Sequence, residues 1–290
     1  MPDVVLAALP TPFTDDGKLD SVTARRFFTF IAGAVDGLFV AGTTGEFPAL
    51  DDSERLELIE IALEAAGPEH VIAHIGAPDA YRAARLAASA VTLGATQIAA
   101  ITPYYLAPLP AEITGYYLRI REAAPDAGLY AYIYPERTAV TVSPEQFAGL
   151  AETAGLAGAK VSGAAAQNVA EYAAACPGLR IYSGNDTDLA ATLRAGGAGV
   201  ISARSAAYPE VFSALEAALT AGDVDAGAAK RHQADVTAIA SLGASIGMVK
   251  EALRLRGFSP MGARMPVAEP DDATAVRIAE LVKTLTSALA

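Results

Sequence analysis

Short apolar runs recur along this chain, and between them lie longer stretches in which apolar residues return every three or four positions. The runs are Val4–Leu9, Gly37–Ala41, Val71–Ile75, Gln97–Ile101, Gly128–Tyr134, Leu156–Lys160, Leu179–Ser183 and Gly199–Ser202. Their lack of polar alternation predicts strands buried on both faces. The stretches Ser21–Ala34, Asp51–Ala66, Asp79–Leu93, Pro110–Ala124, Ser143–Glu152, Ala165–Ala175, Asp186–Ala195 and Pro209–Thr220 predict helices. Two of them open on helix-starting groups, Asp51-Asp52-Ser53-Glu54 and Ser143-Pro144-Glu145. Strands separated by helices pair in parallel, and eight such units close a (β/α)₈ barrel. After Thr220 the strand pattern stops, and Asp223–Leu242, Ser245–Arg256 and Asp271–Leu289 read as helices. The expected organisation is therefore a barrel over residues 1–220 and a helical extension packed on it over residues 221–290. An open doubly wound sheet would need a glycine fingerprint after its first strand, and Leu9-Pro10-Thr11-Pro12 is not one.

Composition narrows the class. The chain has 290 residues, enough for one barrel with an extension, and no linker-like tract divides it. Its least charged stretch, Leu86–Ala111, is broken by Gly94, Gln97, Pro103 and Pro108, so no membrane span is expected. Met1-Pro2-Asp3 shows no basic region followed by an apolar one, so no secretory signal is expected. A formal charge of −12 argues against nucleic acid as a partner. The single Cys176 excludes an internal disulfide, and His70, His74 and His232 lack ligand spacing. A cytoplasmic protein with neither metal nor organic cofactor is expected.

Lys160 is out of place in the run Leu156-Ala157-Gly158-Ala159-Lys160-Val161. An amine withdrawn from water loses preference for its charged form and becomes a nucleophile able to form a Schiff base with a carbonyl. Barrel enzymes carry their active sites at the C-terminal ends of the strands. Unusual residues collect at those ends: Gly42-Thr43-Thr44-Gly45-Glu46, Thr102-Pro103-Tyr104-Tyr105, Tyr132 followed by Pro135 and Arg137, Ser183-Gly184-Asn185-Asp186, and Ile201-Ser202-Ala203-Arg204. Singly, each has a plainer reading as a turn, a packed ring, a capping arginine or a frayed strand end. Together on one rim, they read as a site.

This combination, in this order and spacing, resembles the pyruvate-dependent class I aldolase superfamily of dihydrodipicolinate synthase, N-acetylneuraminate lyase and 2-keto-3-deoxygluconate aldolase. The resemblance runs from Leu9-Pro10-Thr11-Pro12-Phe13 to Gly262-Ala263-Arg264-Met265-Pro266. It implies that Lys160 forms the imine with pyruvate or a 2-keto acid and that Tyr132 shuttles protons. It further implies that Thr43 links to Tyr105 from a neighbouring subunit, in a homo-oligomer that is a dimer or tetramer. Thr44, with Gly45 and nearby backbone N–H groups, would hold the substrate carboxylate. Gly184 would line the pocket, Ile201 would cover the bound pyruvate, and Arg137 would meet an anionic group of the second substrate, an aldehyde.

The chain also leaves the family pattern. Ile133 stands where Asn usually follows the tyrosine, and Val161 where an acidic residue often follows the lysine. Ser245-Ile246-Gly247-Met248-Val249-Lys250 replaces the Pro-x-Pro segment of the synthases, and Pro78 and Arg82 occupy the positions that bind lysine in the inhibited ones. The missing synthase-specific segments favour a 2-keto-3-deoxy sugar acid aldolase, whereas Ile133 and Val161 are the features that speak for binding without turnover. The alternatives are a dihydrodipicolinate synthase using aspartate semialdehyde, which Arg137 supports, a sugar-acid dehydratase, and a keto-acid-binding barrel without turnover.

Overall fold

The computed structural model describes residues 4–221 and 227–288. Eight parallel strands follow one another in chain order around a closed barrel, as the alternating pattern predicts. In order the elements are β1 (Val5–Ala8), α1 (Ser21–Ala32), β2 (Gly37–Val40), α2 (Asp52–Ala66), β3 (Val71–His74), α3 (Ala80–Thr92), β4 (Gln97–Ile101), α4 (Pro110–Ala123), β5 (Gly128–Ile133) and α5 (Pro135–Thr138). There follow α6 (Pro144–Ala154), β6 (Gly158–Val161), α7 (Val169–Ala175), β7 (Arg180–Ser183), α8 (Leu189–Arg194), β8 (Gly199–Ser202), α9 (Pro209–Thr220), α10 (Gly227–Ala240), α11 (Ile246–Leu255) and α12 (Asp272–Ala288). The start of the helix expected from Asp223 and the end expected at Leu289 lie outside the described residues. Among the described residues no helix is long and apolar enough to cross a membrane.

Local chemistry sets the element ends. Asp51 Oδ1 accepts the Glu54 N–H at 2.8 Å while Glu54 returns a carboxylate oxygen to the Asp51 N–H at 3.1 Å, a reciprocal cap on α2. Ser143 and Gln146 do the same for α6. The stretches expected as helices over Ala165–Ala175 and Asp186–Ala195 begin as 3₁₀ turns, Gly163–Asn168 and Asp186–Asp188, before becoming α-helical. One short element was not expected: α5, where Pro135 supplies the preset φ of a first helical position directly after the strand.

The chain divides into two compact units, Gly67–Ile201 and a second made of Val4–Ala66 with the described residues from Ser202 onward. In the first unit, the register aligns Tyr130 with Gly158 and Gly158 with Arg180, and, one pleat on, Tyr132 with Lys160 and Lys160 with Tyr182. Side chains two apart share a face, so the sheet's inner side is built in layers. In the lower layer Gln97 Oε1 accepts from Tyr130 Oη at 3.0 Å and from Arg180 at 2.9 Å, with the guanidinium 5.6 Å from the centre of the Tyr130 ring. Gly158 is required there, because a Cβ would collide with the Arg180 carbonyl oxygen. In the second unit, Asp36 Oδ2 accepts the N–H groups of Val4 and Val5, each at 2.8 Å, and fixes the entry to β1.

Arg121 on α4 is the most heavily used side chain of the first unit's outer layer. It donates to the carbonyls of Ala124, Pro125 and Ala127 at 2.7–3.1 Å, and to those of Ala154 and Gly155 at 3.2 and 2.8 Å, closing the ends of α4 and α6. Arg121→Met keeps the aliphatic stem but strands these acceptors. It should lower unfolding free energy by about 2 kcal/mol, measured by urea titration.

Candidate active site

Lys160 lies on β6 with 5 % of its surface exposed. Its neighbours in the register are Tyr132 on β5 and Tyr182 on β7. Its Nζ stands 4.6 Å from the centre of the Tyr132 ring. That ring is held on two other sides, edge-on by His74 and tilted against Tyr134, both at 6.0 Å between centroids. His74 is itself anchored, since its Nε2 accepts the Ile101 N–H at 3.2 Å. Burial lowers the Lys160 pKa from 10.5 to about 7, opposed by the Asp186 carboxylate, which favours the charged form. Near neutrality a large share of this amine is therefore the nucleophilic free base.

Above this layer, Ser162 extends the β6 ladder, donating its N–H to the Ile133 carbonyl at 2.9 Å, and Gly184 extends β7 by donating to the Val161 carbonyl at 2.7 Å. Strand β6 thus reaches one residue past the expected end at Lys160. By alternation Ser162 shares the face of Lys160. It is 5 % exposed. A Cβ on Gly184 would collide with its hydroxyl, so glycine is what admits it. Ile201 pairs into the same face, because its strand neighbour Gly199 is aligned with Tyr182.

Of the expected site residues in this unit, Lys160, Tyr132, Gly184 and Ile201 are thus brought to one face. Arg137 is exposed on α5 and lies over the Tyr134 ring at 5.4 Å. Tyr105 does not join them within its own chain. It is 94 % exposed and carries a left-handed φ of 80°, unfavourable for a bulky residue. An apolar groove of about 950 Å³ runs along its loop, lined by Pro103, Tyr105, Leu106, Leu109 and Tyr116 among others.

Thr43, Thr44 and Gly45 form one turn at the C-terminal end of β2, in the second unit. Both threonines are half-buried, and Gly45 is packed against Leu9 O and Ala41 Cα too closely to carry a Cβ without displacement. Arg204 is taken up by structure, donating to the Ala240 and Gly243 carbonyls behind α10 at 3.3 and 2.7 Å.

Sequence reasoning passed over Ser162. The signal was there, since it stands two residues beyond Lys160 and must share its face if the strand continues. The departures Ile133 and Val161 also change meaning. They are aligned with each other one position beyond Tyr132 and Lys160, and so face away from the amine, wholly buried among apolar neighbours.

A desolvated lysine on a barrel strand, seated against a tyrosine ring, defines a lyase of the class I aldolase type. A family model described as the dihydrodipicolinate synthetase family matches residues 1–285, and the chain belongs to this family, whose members form a Schiff base between a lysine and pyruvate. It is 32 % identical to the 4-hydroxy-tetrahydrodipicolinate synthase of Acidothermus cellulolyticus over 98 % of this chain and 92 % of that one. The crystal structure of YagE, a prophage protein of the dihydrodipicolinic acid synthase family from E. coli K12 in complex with pyruvate, superposes with a TM-score of 0.90 at 25 % identity over 99 % of both chains. The wild-type sialic acid aldolase of Ruminococcus gnavus shares the fold, with a TM-score of 0.90 at 21 % identity over 99 % of both chains.

The lowered amine pKa has a measurable sign. Imine formation consumes the free base, so the rate of adduct formation at Lys160 should climb with pH to a midpoint near 7 and then level off. A midpoint near that of an ordinary lysine would refute the desolvation argument. Between about 7 and 10.5 the unfolded chain holds a proton that the folded chain has released, so this group makes stability increase with pH across that window.

Proposed function

We propose that the chain catalyses reversible aldol cleavage of a 2-keto-3-deoxy sugar acid to pyruvate and an aldehyde through an imine on Lys160. The observation that supports this choice of substrate is Ser162: a side chain 5 % exposed, one layer above the amine on its face, beside a glycine that leaves room for its hydroxyl. A hydroxyl at that place can exchange hydrogen bonds with a substrate hydroxyl beyond C3.

In this reading Lys160 Nζ attacks the C2 carbonyl, and loss of water from the carbinolamine gives the protonated imine. The C4 hydroxyl gives up its proton, the C3–C4 bond breaks, and its electron pair enters the imine to leave an enamine and a free aldehyde. Protonation at C3 and hydrolysis release pyruvate and restore the amine, so no electron acceptor is required. Tyr132, in contact with the amine, is proposed as the proton shuttle. Thr44 and Gly45, with nearby backbone N–H groups, are proposed to hold the keto-acid carboxylate, Thr43 to link to Tyr105 of the partner subunit, and Ile201 and Gly184 to line the pocket. Arg137, exposed on its short helix, is proposed to meet an anionic end of the second substrate.

We further propose a homo-oligomer, dimer or tetramer, in which the apolar loop bearing Tyr105 packs on another copy and lends that phenol to its neighbour's site. The exposure of Tyr105, Leu106 and Leu109 supports this, because an apolar patch of that size is unfavourable in water. A synthase condensing pyruvate with aspartate semialdehyde is the second reading, favoured by the 32 % identical relative named for that reaction.

Borohydride reduction with pyruvate, followed by mass spectrometry, should place the adduct on Lys160; its absence there would dismiss the assignment. Turnover with pyruvate and glyceraldehyde should exceed turnover with pyruvate and aspartate semialdehyde, and the reverse order would select the synthase. Tyr132→Phe should keep the fold and lower kcat by about a hundredfold or more. Ser162→Ala should cost about tenfold in kcat/KM for the hydroxylated substrate yet leave pyruvate trapping unaffected.

A further inference from the structure

Glu46 closes the Thr43–Thr44 turn, and both its side chain and that of Lys250 on α11 are fully buried. All three donors of the ammonium are used: Lys250 Nζ donates to Glu46 Oε1 at 2.5 Å, to the Gly262 carbonyl at 2.5 Å and to the Thr11 carbonyl at 2.9 Å. The other carboxylate oxygen, Glu46 Oε2, accepts the backbone N–H groups of Arg264 and Met265 at 2.9 and 2.7 Å. Thr11 then donates its hydroxyl to the Gly45 carbonyl at 2.7 Å, one residue from Glu46. The network thus joins the turn, the segment after β1, α11 and the chain at Gly262–Met265, all within the second unit.

Two features say that this network does more than fill space. A buried ion pair is rarely more stabilising than apolar side chains of the same volume, because both charges must first leave water. What it adds is direction, since six hydrogen bonds with fixed geometry leave the turn one position. The turn also needs holding. Ala41 and Glu46, on either side of Gly42–Gly45, adopt left-handed φ values of 54° and 57°. Non-glycine residues take that conformation only where the surroundings over-determine it.

We propose that the Glu46–Lys250 pair is a positioning device for the Thr43–Thr44 turn, through which α11 and the Gly262–Met265 segment set its grip on the carboxylate of the keto acid. The proposal rests on the assignment of that carboxylate to this turn made above. The helices after the barrel strands are, on this account, part of the substrate site rather than a cover over it.

The test compares two carbonyl compounds, pyruvate and acetone, which differ in the carboxylate. Borohydride trapping at the Lys160 peptide is measured against concentration for the unaltered protein, for Glu46→Asp, and for the double substitution Glu46→Gln with Lys250→Met. Glu46→Asp keeps the charge and shortens its reach, whereas the double substitution removes both charges and strands neither. Both proteins should raise the half-saturating concentration of pyruvate by about tenfold relative to that of acetone, as a small displacement of a binding group does. A purely structural pair would alter both compounds alike, and an unchanged ratio overturns the proposal. Absence of any pyruvate adduct in the unaltered protein would instead remove the site assignment beneath it, and the proposal with it.

Discussion

Everything chemical in this molecule depends on keeping one amine out of water. Lys160 is drawn into the sheet's inner face by the strand that carries it, and the layers around it exclude solvent. Below it, Gln97 accepts hydrogen bonds from both Tyr130 and Arg180. Beside it stand the rings of Tyr132 and Tyr182. The lowered basicity follows from that enclosure, with Asp186 pulling the other way. A surface lysine has the same atoms and little of the reactivity.

The enclosure rests in turn on strand register. Parallel pairing of Tyr132 with Lys160 is what sets phenol against amine, and a slip of one residue between the strands would turn one of the two toward the helices. Glycines make the register tolerable at the points of closest approach. Gly158 lies against the Arg180 backbone, and Gly184 against the Ser162 side chain. Arg121 and the reciprocal helix caps hold the outer layer so that the inner one has no freedom to slip.

Much of this was legible in the residues. The eight apolar runs and the capping groups gave the barrel, and an unaccountable lysine in the sixth run pointed to the reaction. Tyr132, Gly184 and Ile201 were singled out because each stands at a strand's C-terminal end, and alternation sets them on one face with Lys160. What was missed was missed for physical reasons. The end of β6 has no turn residue before Gly163, so the strand's extra pleat, and with it Ser162, went unread. Tyr105 was read as serving a neighbouring subunit, and its left-handed backbone and exposed ring belong to a loop whose conformation no periodicity encodes. Arg204, at the end of the eighth strand's run, donates to carbonyls of Ala240 and Gly243 that lie 36 and 39 residues further along the chain, a partnership no local pattern shows. Glu46 read as the tail of a turn motif, because its partner Lys250 lies 204 positions away along the chain.

Ile133 and Val161 sit on the outward side of the same two strands that carry Tyr132 and Lys160. Each strand therefore keeps two independent records, one of the reaction and one of the helices packed behind it. A comparison that scores consecutive positions alike mixes the two, and counts a change in the packing shell as a loss of chemistry. Read by alternate residues, the two departures from the family pattern at Ile133 and Val161 fall on the helix side of their strands, not on the side of the amine. Kinship in this fold is better judged one face at a time.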